Sequence, residues 1–365
     1  MDSPFRIEVY DKAFRRLGFI GDPAVVRFVP RHNALDTVEL VLDSDHRRSA
    51  QLAADGARLV VTYAGQVISG PVRAVAGDPQ RTTYRVDGDW RLLTRILGWP
   101  VPGAPLSAQT AAYDTRTGPA ETVVKGVIAA NAARLGLPVT IAPDLGRGAV
   151  ISTTFRMHPL ADRLFPLVDQ AGIGITVVQV NDGLLVDCYT PREYPRTLTA
   201  ASGVVVDWQL DRSGPTATRV VLGDQGQAEA RSFTQFVSTA REGEWGDVVE
   251  VFRDARDTDD PAVVQGRAAE TLGDGRARSG LSLQLAETKH FRYGQDLHVG
   301  DRVTVEISPG VVVTDVLREA TVAFSERDGL LVTPEIGERR ADPNRTVARL
   351  LGQVLRSIRD NQAGR

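Results

Sequence analysis

A catalytic centre needs side chains that exchange protons, attack an electrophile or hold a metal, and each task leaves a recognisable spacing. The chain offers five histidines, His32, His46, His158, His290 and His298, none of which pairs with another at i, i+2 or i+4 spacing. Each therefore reads as a core or surface residue. The single cysteine, Cys188, lies in the strand-like run LLVDCYT, where a small buried thiol has no base beside it to make a thiolate. The acidic run Asp254 to Asp260, DARDTDD, could suggest a calcium loop, yet it lacks the glycine and the terminal glutamate of the twelve-residue ligand pattern. The carboxylate pairs Glu242/Glu244 and Asp87/Asp89 would suit glycoside hydrolysis, but such pairs are also ordinary turn residues. Gly172-Ile-Gly174 lacks the third glycine of a dinucleotide fingerprint and runs into a strand. No G-x-S-x-G elbow, H-E-x-x-H helix, C-x-x-C pair or P-loop occurs. No catalytic residue, cofactor-binding residue, cofactor or metal ligand is assigned, and the expectation is a structural protein rather than an enzyme.

The elements that would carry any site are mostly strands. Short alternating runs fill the first hundred residues: FRIEVY, AVVRFVPRH, TVELVLD, ARLVVTYAGQVISGPVRAVAGD and TTYRVDGDW. Ala64-Gly65 marks a tight hairpin turn, and Gly77 to Gln80 turns the chain again. Arg91 to Leu97 reads as a helix that closes this unit at Gly98. Residues 99–118 are rich in Pro and Gly and read as a linker or exposed loop. Pro119 to Leu135 then places Val123, Val124, Val127, Ile128 and Leu135 on one helical face between Pro and Gly-Leu-Pro boundaries. A second helix is expected over Pro159 to Gln170, weakened by Pro166. Strands Ile173 to Val180 and Leu184 to Tyr189 flank the hairpin signal Asn181-Asp182-Gly183. The four tryptophans, Trp90, Trp99, Trp208 and Trp245, are spread too widely for a sugar platform and read as core or inter-domain packing.

These pieces predict a multidomain, β-rich α+β chain. Antiparallel β-barrel domains at 1–98 and 291–337 are interleaved with small α/β inserts at 105–200 and 246–290, and residues 201–245 return to the β-domain. The second insert holds a strand at Asp247 to Arg253, a helix at Pro261 to Leu272 and a strand at Ser279 to Ala286. In Phe291 to Ile307 the Gly300-Asp301 pair reads as the turn that starts a strand, with Asp301 a turn former rather than a catalytic acid. Residues 342–361 form a C-terminal amphipathic helix. Its stripe Val347, Leu350, Leu351, Val354, Leu355 and Ile358 is the candidate subunit or domain interface.

Composition narrows the partners. With 365 residues, 42% apolar and 24% charged, the chain can bury several cores. Its 43 basic and 46 acidic residues leave a formal charge of -3, so sequence-specific nucleic-acid binding is not expected. One cysteine permits no internal disulfide. No window of 18 uncharged apolar residues and no signal-peptide pattern is found, so synthesis in the cytoplasm without membrane insertion is expected.

The succession VVRFVPRHNALDTVELVLDSD, ARLVVTYAGQVISGPV and YRVDGDWRLLTRILGWPVP resembles the opening of siphovirus tail-tip proteins, especially minor tail proteins of actinobacteriophages. GPTATRVVLGDQGQAEAR, EWGDVVEVFRDARD, YGQDLHVGDRVTVEI and VTPEIG continue the match in order over about residues 5 to 337. The resemblance implies a baseplate or tail-tip hub, similar in architecture to the hubs of contractile phages. What it further implies is a homotrimer that joins or closes the tail tube. Its partners would be a distal tail protein, a tape measure protein and tip or receptor-binding proteins. The location implied is the virion tail tip, after synthesis in the host cytoplasm, with roles in host attachment and DNA ejection. Other readings are a tail-associated cell-wall hydrolase or peptidase, a receptor-binding tail protein, and the hub of a contractile injection system.

Overall fold

The computed structural model describes residues 3–223, 231–256, 260–285 and 291–337. Seven strands come from the first ninety residues: β1 (Arg6–Tyr10), β2 (Arg16–Ile20), β3 (Val25–Val29), β4 (Thr37–Asp43), β5 (Arg58–Tyr63), β6 (Gln66–Gly77) and β7 (Arg81–Asp87). The expected alternation is clearest in β4. In β4, Val38, Leu40 and Leu42 are buried while Thr37, Glu39 and Val41 are only half covered. The β5–β6 hairpin turns at Ala64 (φ 46°) and Gly65 (φ 83°), the paired left-handed conformation of a two-residue turn that matches strand twist. Asp78 sets the next turn by accepting the amides of Gln80 and Arg81.

The C-terminal strands join the same sheet. Val311–Ser325 pairs with Arg302–Ser308 through its first half, and with Gly329–Gly337 and β3 through its second. From one end to the other the order is Val205–Ser213, Arg278–Leu285, Gly329–Gly337, Val311–Ser325, β3, β4, β7, β6, β5, β1, β2. Every neighbouring pair on this path is antiparallel. One core lies against both halves. It takes Ile7, Phe28, Leu40 and Tyr84 from the first strands and Phe291, Tyr293, Val303 and Phe324 from the last.

The expected closed barrels are corrected here: among the described residues no sheet closes, because β2 pairs only with β1 and Val205–Ser213 only with Arg278–Leu285. Alternation along one strand is the same in an open sheet and a barrel. Closure is decided by pairing between strands far apart in sequence. Two local expectations also change. The helix over Arg91 to Leu97 is a single turn, Leu92–Arg95, after which Leu97–Gly98 pairs with His158–Pro159. Within the expected linker, Asp114–Pro119 begins a strand pair with Val150–Phe155.

The first α/β region packs helices Ala120–Arg134 and Leu160–Val168 on the hairpin Gly174–Val180/Gly183–Tyr189, around Trp90, Val124, Phe155 and Val186. Leu135, expected on the apolar face, is 47% exposed because it falls at the helix C-cap. A second, smaller unit centres Arg219–Gly223 between Phe233–Val237 and Glu250–Asp254, with helix Pro261–Asp274 packed against it. The expected C-terminal helix and its stripe from Val347 to Ile358 lie outside the described residues.

Polar side chains fasten the first α/β region to the large sheet. Asn33, fully buried with φ 50°, donates from Nδ2 to Asp169 Oδ1 (2.6 Å) and to the Ile173 carbonyl (2.9 Å), and its Oδ1 accepts the Ile175 amide (2.9 Å). A left-handed conformation is tolerated by Asn better than by most residues. Arg318 donates to the other oxygen of Asp169 at 2.6 Å, and His32 Nε2 stands 3.4 Å from Oδ1. Burial opposes ionisation of Asp169, but His32, Arg318 and Asn33 outweigh it and hold the carboxyl well below the usual range. Removing this carboxylate takes one of two oxygen acceptors from the buried Asn33 Nδ2 and the nearest counter-charge from the partly buried Arg318. Asp169→Ala is expected to lose about 3 kcal/mol or more in urea unfolding; a loss under about 1 kcal/mol would show that the junction contributes little.

The neighbouring Asp36 is held in the opposite state. Burial pushes its carboxyl up to about 7, against the Arg31 amide bond (2.5 Å) and the Arg31 charge, both of which favour the anion. A carboxyl raised on folding contributes most below its unfolded value of 3.8, and that contribution is lost as the pH rises through about 7. Asp36→Asn, which stays neutral, is therefore expected to gain stability relative to the natural chain between pH 5 and 8. Parallel melting curves across that range would refute the assignment.

Candidate functional site: an assembly surface

The groups that might do chemistry are committed elsewhere. Cys188 is 1% exposed, and burial pushes its thiol up to about 12, away from the thiolate a nucleophile needs. This is the buried strand thiol expected from LLVDCYT. His32 and His158 are buried in polar clusters, His298 meets the Gly294 carbonyl through Nε2 (2.8 Å), and His46 stands 3.3 Å from Asp22. His290 lies outside the described residues. Of the carboxylate pairs, Asp89 is bound by Arg58 and Ser69, and Glu242 by Arg219. Part of the acidic run, 257–259, lies outside the described residues. Among those described, no group of three or more His, Cys, Asp or Glu side chains could hold a metal ion, and no helix is long and apolar enough to cross a membrane.

Asp301 serves the turn, as its position after Gly300 suggested. Its carboxylate accepts the His298 amide (2.9 Å) and a two-pronged bond from Arg192 (3.2 and 2.8 Å). Gly300, at φ 96°, leaves no room for a side chain, since a Cβ there would stand 2.6 Å from the Tyr189 hydroxyl. The strand Arg302–Ser308 thus starts from a fixed corner against the first α/β region.

The two ends of the large sheet are among the places where large apolar side chains are exposed, with Phe233, Phe252 and Val312 elsewhere. At one end, β2 exposes Phe19 (53%) and Leu17 (37%) beside Arg15 and Arg16. Arg47 lies over the Phe19 ring at 5.9 Å, and Arg48 Nη1 donates to the Leu17 carbonyl at 3.1 Å. At the other end, Val205–Ser213 exposes Val206 (60%) and Trp208 (42%), with Asp207 and Asp211 in the same strand. A bulge between Val205 and Asp207 re-aims this end. Unpaired strand ends with large apolar side chains are association sites unless blocked. Neither end is of one sign: Arg15 meets Asp11 at 2.9 Å and Arg16 meets Glu8 at 2.7 Å, while Val205–Ser213 carries Arg212 beside Asp207 and Asp211.

Sequence reasoning found neither end as a site. In RLGFI only Ile20 is buried, so β2 lacks the alternation that marks a half-buried strand. VVVDWQL was readable as a strand, but Trp208 was expected inside. The interface stripe Val347, Leu350, Leu351, Val354, Leu355 and Ile358 cannot be placed beside either end, since it lies outside the described residues.

This arrangement has solved counterparts. The fold is similar to the 43 kDa tail protein of prophage MuSo2 from Shewanella oneidensis (TM-score 0.55, 11% identity, 91% of this chain and 98% of that one). It is also similar to the prophage tail protein gp18 from Listeria monocytogenes (0.54, 11%, 97% and 99%). A tail protein from Neisseria meningitidis gives 0.53 at 13% identity, covering 92% and 96%. At such identities the likeness establishes the fold. No curated protein matches by sequence. The model of the Siphovirus ReqiPepy6 Gp37-like protein family matches residues 6–338, nearly the whole chain, and the chain belongs to that family.

Proposed function

We propose that this chain is a structural tail protein whose copies assemble, through the two ends of the large sheet, into the hub ring at a siphophage tail tip. The observation that carries the reading is the pair of end strands with exposed large apolar side chains on a fold shared almost end to end with phage tail proteins. A contact between two different patches of one chain repeats around an axis, and it closes into a ring when the rotation per copy divides a full turn. The β2 edge of one copy would meet the Val205–Ser213 edge of the next, covering Phe19 and Trp208.

In this reading the copies form a homotrimer, and the stripe Val347, Leu350, Leu351, Val354, Leu355 and Ile358 adds a second contact between them. The ring joins or closes the tail tube, meets a distal tail protein and a tape measure protein on one side, and carries tip or receptor-binding proteins on the other. The α/β units at 105–200 and 246–290 stand outside the β-domains as attachment surfaces. The chain needs no active site for this role.

Light scattering on the purified full chain tests the route. The natural chain is expected at three times the monomer mass, and Phe19→Glu or Trp208→Asp is expected to shift it to monomer without changing its melting temperature. A monomer at every concentration, or a trimer untouched by both substitutions, defeats the proposed contact.

A further inference from the structure

We propose that a cleft between the large sheet and the first α/β region docks an acidic, leucine-bearing peptide segment of another protein. The cleft holds about 310 Å³ and is lined by Pro71 from β6, Arg58 from β5, the turn carrying Arg91, Leu92, Arg95 and Ile96, and Leu135, Leu137 and Leu184 from the α/β region. That volume lies at the lower bound of small-ligand sites, enough for one or two side chains. Its floor is apolar: Ile96 is 3% and Leu184 9% exposed, while Leu135 stands at the rim, open to solvent.

The charge around this floor is unbalanced. Arg58 is neutralised, since its Nη2 meets Asp89 Oδ2 at 2.5 Å and its Nε meets Gln179 Oε1 at 2.8 Å. Arg91 and Arg95 are not. They stand four apart on one helical turn, hence on the same face. Arg91 is partly desolvated and also feels Arg95 and Arg73 as like charges, which together pull its guanidinium below its ordinary value, with Asp87 and Asp89 compensating in part. Such crowding is relieved by a carboxylate, which a guanidinium fork can grip with two parallel bonds.

The ligand chemistry follows from both halves of the cleft. A nucleic-acid backbone would use the arginines but leave the exposed Leu135 against water. A purely apolar segment would cover the floor and desolvate two cations without a partner, which is costly. A strand or helix carrying Glu or Asp beside Leu satisfies both. This site lies on different residues from the strand ends and does not depend on them.

The test uses the full chain and a fluorescein-labelled peptide of alternating Glu and Leu, read by anisotropy. Saturable binding is expected, weakened at least tenfold by Arg95→Glu or Arg91→Glu and at least threefold by Leu135→Ser. Arg95 and Leu135 are exposed, so these two variants are expected to melt with the natural chain and to keep its oligomeric state. A peptide with Lys for Glu should not bind. The proposal is overturned if a Glu-Ser peptide binds equally well, if Arg95→Glu binds as the natural chain does, or if no saturable binding is seen.

Discussion

The pairing of β3 with the second half of Val311–Ser325 is the constraint on which the rest of the molecule depends. Val25 faces Ser325 and Phe28 faces Val322, so the centre of the large sheet is made from segments about 300 residues apart. The α/β regions between them must leave this sheet, and the chain must then return to it. The entropic cost of closing a loop grows only slowly with its length, which is why whole α/β units can be accommodated inside the interval. The same topology makes folding depend on non-local contacts, and the shared core of Phe28, Leu40, Val322 and Phe324 is complete only when both ends of the chain have met.

Given that constraint, the inserted regions need a fixed attitude relative to the sheet, and polar groups supply it. Asn33, His32 and Arg318 from the sheet meet Asp169 from the α/β region. Arg58 and Ser69 reach Asp89 and Gln179. Inside the α/β region, Glu121 receives Lys125 at 2.6 Å and two bonds from the Arg147 guanidinium, tying helix, loop and strand together through Asp187. Apolar contact alone would permit sliding of one surface over another. A buried charge with several named partners is satisfied in one arrangement only, so these groups fix orientation more than they add net stability.

The distinction between local and long-range information explains how much could be read from the residues. Alternation marked β3, β4 and β7, turn chemistry marked Ala64-Gly65 and Asn181-Asp182, and caps marked helices Ala120–Arg134 and Pro261–Asp274. These signals sit within a few residues of one another. The open sheet was read as closed because closure is a relation between β2 and Val205–Ser213, nearly 200 residues apart, and no local pattern encodes it. Glu121 and Lys125 have the spacing of an ordinary surface ion pair, yet both are buried because Arg147 and Asp187 arrive from elsewhere. Phe19 escaped notice for a related reason. An exposed end strand has no buried face, so the periodicity that reveals other strands is missing from it.

An open sheet carries a hazard that a barrel does not, and each end has features that limit it. Arg48 caps the Leu17 carbonyl, Arg47 partly covers Phe19, and the bulge at Val205 and Asp207 bends the opposite strand out of flat register. These devices make either edge a poorer template for indiscriminate strand pairing. Had the sheet closed on itself, both ends would have been consumed within one chain. Left open, the sheet keeps β2 and Val205–Ser213 each with a single neighbouring strand among the described residues.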